Sequence, residues 1–170
     1  MNVQTDFFMG GKRCIYRSLN IIPIINRLKK KFKYVFFISN WYTKKAKIFK
    51  KGYRKHCLQH TPGAKIHTFV IVYDTDIIIK KGTNDKYISN SAFYHAKELN
   101  DQTNLNHFLY ELSIDTLYFC GSGVFHSILD AYKFRYRCCY VYDACVGKKK
   151  RVMVFLKKIG VKFVNSDTIQ

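Results

Sequence analysis

What most constrains this chain is a rhythm in which apolar runs of three or four residues alternate with stretches whose apolar residues fall at helical spacing. Val35-Phe36-Phe37-Ile38, Ile77-Ile78-Ile79, Leu117-Tyr118-Phe119-Cys120, Cys139-Tyr140-Val141-Tyr142 and Val161-Lys162-Phe163-Val164 read as strands. Between them, Ile21, Ile22, Ile25 and Leu28 share a helix face. So do Leu105, Phe108, Leu109 and Leu112, and then Val154, Phe155 and Ile159, with Gly160 as a helix stop. Thr61-Pro62-Gly63 marks a turn. Strand and helix in alternation predict an α/β domain, doubly wound around a mostly parallel sheet with helices on both faces. Such sheets bind ligands at the carboxyl ends of their strands.

At 170 residues, with no repeat or linker, a single domain over 1–170 is expected. No apolar run approaches the roughly 18 residues that span a bilayer. The first residues carry no basic-then-apolar leader, so a cytoplasmic location with no membrane association is expected. Cys14, Cys57, Cys120, Cys138, Cys139 and Cys145 contain no Cys-x-x-Cys pair and read as reduced thiols. The charge is the unusual quantity. Thirty Lys and Arg against eleven Asp and Glu give +19, enough to draw nucleic acid or an acidic partner non-specifically. The cations lie in separate blocks, at 29–33, 44–55, 148–151 and 157–162, without the aromatic or Cys/His motifs of specific nucleic-acid readers.

Four local sequences go beyond the generic pattern. They are Asn2-Val3-Gln4-Thr5-Asp6-Phe7 with Gly10-Gly11, then His56-Cys57-Leu58-Gln59-His60-Thr61-Pro62-Gly63-Ala64, then Lys81-Gly82-Thr83 with Ser91-Ala92-Phe93, and finally Leu117 to Gly121 with Asp130-Ala131 and Asp143-Ala144-Cys145. In this order they resemble the nicotinamidases of the isochorismatase-like cysteine hydrolases. The resemblance implies the family's fold and its nominal reaction of NAD salvage, nicotinamide and water to nicotinate and ammonia. In that chemistry an Asp takes the proton of a Cys thiol, the thiolate attacks the amide carbonyl, and a Lys steadies the charges.

Judged by that standard, the site residues here are altered. The Asp position is Asn2, whose carboxamide cannot act as a base. The Lys is kept as Lys81. About one helical turn is missing between Gly121 and Asp130. Counting forward puts Ser127 at the nucleophile position and counting back puts Gly123 there. Neither is a cysteine, and Cys120 falls inside a strand as an inert thiol. Phe7 and Tyr53 match the aromatic positions that hold substrate.

The resemblance also implies zinc or another divalent metal, but Asn40 and Tyr42 stand where two ligands are expected, Ala46 stands near the third, and His56 is a remnant. One histidine does not hold zinc, so no cofactor is predicted. A second set, His56, Cys57, His60 and His67, lacks the spacing of known zinc loops, and the plainer reading is surface histidines beside a buried thiol. Most of the family's first strand precedes Asn2 and is missing. The sheet is expected to have a truncated first strand, unpaired edges and an apolar cleft. The functional expectation is a nicotinamidase-like protein that is catalytically impaired or inactive, with a nicotinamide-like small molecule, a second copy or an active paralogue as partners. The alternative is a non-catalytic basic binding protein.

Overall fold

The computed structural model describes residues 1–147 and 149–170; Lys148, which opens the third basic block, lies outside the described residues. In chain order the elements are α1 (Ile22–Lys29), β1 (Phe36–Asn40), α2 (Lys47–Lys50), β2 (Ile77–Lys81), β3 (Tyr94–Ala96), β4 (Asp101–Gln102), α3 (Leu105–Glu111), β5 (Thr116–Ser122), α4 (Phe125–Lys133), β6 (Arg137–Val146), α5 (Lys150–Lys158) and β7 (Lys162–Val164). The five apolar runs seen in the sequence mark β1, β2, β5, β6 and β7, with Val35 and Val161 one residue ahead of their strands. The β3–β4 hairpin carries no apolar run, and α2 is a single turn, so neither had a signal of its own.

β1 pairs with β2 in parallel, Asn40 opposite Lys81, and β5, β6 and β7 form a second parallel ladder. Alternate strand residues feed different cores, because successive side chains point to opposite faces of a sheet. Phe37 packs with Ile22, Ile25 and Leu28 of α1, while its neighbour Ile38 packs with Leu105 and Leu109 of α3, Ile128 of α4 and Leu156 of α5. Helices therefore cover both faces. Each fully buried aliphatic or phenyl side chain contributes about 1.5–3 kcal/mol. α1 starts with Pro23 in its first turn, where a missing N–H costs nothing, and ends on Arg27 and Lys29, whose charge suits the helix carboxyl end. Lys29 and Asp76 form a buried ion pair that ties α1 to the start of β2.

The two ladders meet through the first residues of the chain. The Met1 ammonium donates to Cys120 O at 2.7 Å, Asn2 N to Ile38 O at 2.8 Å, and Ser122 N to Met1 O at 3.1 Å. One step on, the side chain of Gln4 takes over the ladder's role: its Nε2 donates to Asn40 O and its Oε1 accepts from Asn40 N, both at 2.7 Å. These few residues take the place of the truncated first strand expected from the sequence. Beyond them, the edges of β1 and β5 face each other across an apolar cavity of about 180 Å³.

Candidate active site

The carboxyl ends of β1, β2 and β5 bring Asn40, Lys81 and the Ser122-Gly123 turn toward Asn2 and Gln4. Asn2 is buried, with a left-handed φ of 54°, and its Nδ2 donates to Ser122 O at 2.9 Å while its Oδ1 is buried with no hydrogen-bond partner. Gly123 follows directly. A Cβ built there would lie 3.2 Å from Asn2 Nδ2, and its φ of 64° is one that side chains rarely adopt. The residue that faces the base position is therefore a glycine. Ser127 lies one helical turn further on, inside α4, fully buried, where its Oγ accepts from Ala92 N at 2.8 Å. Of the two nucleophile positions counted from the sequence, Gly123 adjoins Asn2 and Ser127 braces the loop before β3.

Lys81 is buried rather than solvated, and its Nζ donates to Ser89 O at 3.0 Å. Loss of water pushes its pKa down to about 8. Cys57, close enough to feel Lys81, Asp6 and Arg13, is wholly buried, and desolvation followed by the Asp6 charge drives its thiol far up. Cys120 is pushed up to about 11, chiefly by burial. Neither supplies a thiolate near neutral pH. Asp6, the second acid of the opening motif, is committed to structure: Oδ2 accepts from Cys57 N at 2.6 Å and Oδ1 from Lys12 N at 3.1 Å. Gly63 packs so tightly on this carboxylate that a Cβ has no room.

Of the positions implied for metal ligands, Tyr42 and His56 meet, but the set does not fit a metal. His56 is fully buried, not on the surface as one sequence reading had it, and both its ring nitrogens are engaged. Nδ1 lies 2.7 Å from Arg54 O, and Nε2 lies 3.0 Å from Arg13 Nη1. With a carbonyl at one nitrogen and a guanidinium at the other, the ring is neutral, with Nδ1 donating and Nε2 accepting. Burial lowers its pKa accordingly. Tyr42 packs edge-on to His56 at 5.5 Å, and burial raises its phenol far above the ordinary value. Asn40 Oδ1 is buried without a hydrogen-bond partner, and Ala46 is buried. A guanidinium thus holds the imidazole nitrogen that a cation would need. Among the described residues no group of three or more His, Cys, Asp or Glu is placed to hold a metal. His60 instead packs on Trp41 and His67 on Phe8, away from His56.

Phe7 is buried with its ring edge-on to His56 at 5.6 Å, and Tyr53 is half exposed with the Arg13 guanidinium 4.7 Å above its ring. These aromatics pack on Arg13 and His56. Arg13 links both, and nothing in its local sequence singled it out.

Parallel strands with helices on both faces, and polar side chains gathered at the strands' carboxyl ends, define an α/β domain with its candidate site at the carboxyl edge of the sheet. The isochorismatase domain model matches residues 1–158, and the chain belongs to that family. It is similar to a nicotinamidase of Acinetobacter baylyi, with 27% identity over 168 residues, covering 85% of this chain and 78% of that one. Among solved structures it resembles the Acinetobacter baumanii nicotinamidase pyrazinamidease, with a TM-score of 0.93 and 26% identity over 99% of this chain and 95% of that one. It also resembles the pyrazinamidase of Pyrococcus horikoshii in complex with zinc, with a TM-score of 0.85 and 27% identity over 96% and 95%. No helix among the described residues is long and apolar enough to cross a membrane.

Proposed function

We propose that this chain is a nicotinamidase-like protein that keeps the scaffold of its relatives and has lost amide hydrolysis. The observation that carries the reading is the pairing of Gly123 with Asn2, a position without a side chain facing one without a base. Covalent amide hydrolysis needs a nucleophile and a group to take its proton, within hydrogen-bond reach of each other. Ser127 and Cys57 do not make up the loss. The hydroxyl of Ser127 is inside α4 and engaged with Ala92, and the thiol of Cys57 is held protonated by burial and by Asp6. Lys81 remains, but its buried Nζ, donating to Ser89 O, does not replace the missing nucleophile.

The reading is tested by incubating the protein with nicotinamide, quenching with acid and measuring intact mass. The expected spectrum shows the unmodified chain. A nicotinoyl adduct that peptide mapping places on Ser127, Cys57 or Cys120 contradicts the proposal.

A further inference from the structure

α5 carries cations that the rest of the fold leaves unanswered. It joins residues of the third and fourth basic blocks, and from Ala144 to Ser166 the chain contains no Asp or Glu. Lys150 and Arg151 occupy its first turn, which has no acidic residue, so their charge adds to the positive end of the helix dipole instead of offsetting it. Lys157 and Lys158 close its last turn. All four are exposed, and among the described residues none of them forms an ion pair. Lys157 Nζ lies over the Phe163 ring at 5.3 Å, which supplies no counter-charge.

At the centre of these cations stands an apolar side chain. Three and four residues before Val154 come Arg151 and Lys150, and three and four after it come Lys157 and Lys158. Those are the positions that neighbour a residue on a helix surface. Val154 is therefore ringed by four cations, and it is 61% exposed, with Phe155 beside it 45% exposed. The core side of the helix is separate, with Leu156 fully buried and Val152 and Ile159 packed in the same cluster. Core packing accounts for Leu156 but not for Val154.

An occupant of this face has to offer many negative charges and an apolar layer together. A second copy of the chain brings the same cations and is repelled. A nucleic acid answers the charge but gives an aliphatic side chain little to bury against along its phosphates. Lysine is depleted from the cores of protein interfaces, whereas lysine stems lie readily along apolar surface with their heads at lipid phosphates. An anionic bilayer meets both demands. The expectation of no membrane association rested on spanning runs and leaders, and a helix lying on a bilayer needs neither.

We propose that α5 docks the protein on anionic lipid bilayers, with Lys150, Arg151, Lys157 and Lys158 on the headgroups and Val154 and Phe155 inserted at the boundary between headgroups and acyl chains. The helix lies in the plane of the surface. With only two exposed apolar side chains to insert, charge supplies most of the affinity, so docking is reversible and weakens as salt rises.

The experiment uses the full chain and two kinds of vesicle, phosphatidylcholine alone and phosphatidylcholine with about three-tenths phosphatidylserine. Co-sedimentation should show saturable binding to the second and none to the first. Lys150→Glu combined with Arg151→Glu should weaken that binding at least about tenfold. The same change puts acid in the first turn of α5, so thermal unfolding should find the variant at least as stable as the wild type, which separates lost binding from lost fold. Lys44→Glu combined with Lys45→Glu alters the net charge equally at another exposed site and should change binding by no more than about twofold. In Val154→Trp, lipids brominated along the acyl chains should quench emission beyond the quenching of Trp41 in the unmodified chain. Equal binding to both vesicles, an equal loss in the two charge variants, or a tryptophan at position 154 that bromolipid does not quench would each overturn the proposal. An unquenched tryptophan together with loss of DNA duplex binding in the Lys150→Glu, Arg151→Glu variant would assign the face to nucleic acid instead.

Discussion

Lys81→Met should make the protein more stable near neutral pH, and the gain should disappear in alkali. The native side chain is buried, and its pKa falls from 10.5 to about 8 because the ammonium is stripped of water. At about 1.4 kcal/mol per pKa unit, holding that charge costs the folded state about 3 kcal/mol at pH 7. Methionine removes the charge but leaves Ser89 O without its donor, which costs about 1 kcal/mol. The net expectation is about 2 kcal/mol of added stability at pH 7. The pH dependence carries a definite sign. Between pH 8 and 10.5 the unfolded chain holds the proton and the folded chain does not, so unfolding takes up a proton and wild-type stability rises with pH across this window. Above it, the neutral amine retains its bond to Ser89 and the variant becomes the less stable protein by about 1 kcal/mol. Urea unfolding of both proteins at pH 7, 8.5 and 10 reads the difference directly, and other groups that titrate in this range cancel. A variant less stable at pH 7, or a difference that does not change with pH, refutes the claim that Lys81 is a desolvated cation.

Three further outcomes are expected. Asn2→Asp combined with Ser127→Cys should release no ammonia from nicotinamide above the buffer rate. The new thiol would sit in α4 in place of the bond to Ala92, and the new carboxylate would lie against Ser122 O; measurable turnover would show that the two groups meet. Purified protein, dialysed and analysed for elements, should carry far less than one zinc per chain, because Arg13 occupies the free side of His56, whereas a stoichiometric metal would contradict that geometry. Binding to a DNA duplex should be independent of sequence and fall steeply as salt rises, as the release of counterions by a +19 chain requires; a preference for one duplex that persists at high salt would reveal a specific site.

The fold was legible because its signals are local. Val35 to Ile38 and Leu117 to Cys120 are apolar runs of strand length, and Ile22, Ile25 and Leu28 repeat at the helical period, so β1, β5 and α1 follow from pattern alone. The resemblance located the ends of β1, β2 and β5, and with them Asn2 and Lys81. Sequence left open whether Ser127 or Gly123 faces Asn2, because a missing turn can be counted from either side. The positive φ of Gly123 and its approach to Asn2 are three-dimensional facts. Arg13 was invisible for the same reason. One arginine among thirty cations has no marked neighbour in the chain, and its role appears only when His56, 43 residues away, is folded against it. The cleft was foreseen from the short first strand, but not that Gln4 would close its end with side-chain bonds in place of main-chain ones.

The central claim is that the scaffold survives without the chemistry, and ammonia release tests it most directly. The protein is incubated with nicotinamide at high enzyme concentration, beside Lys81→Ala and an active nicotinamidase. The account predicts a rate equal to the buffer blank for both forms of this chain, since neither Gly123 nor Asn2 supplies an attacking or accepting group and further losses remove nothing more. Turnover by the unmodified chain that Lys81→Ala abolishes would contradict it and assign the reaction to a nucleophile other than the position beside Asn2.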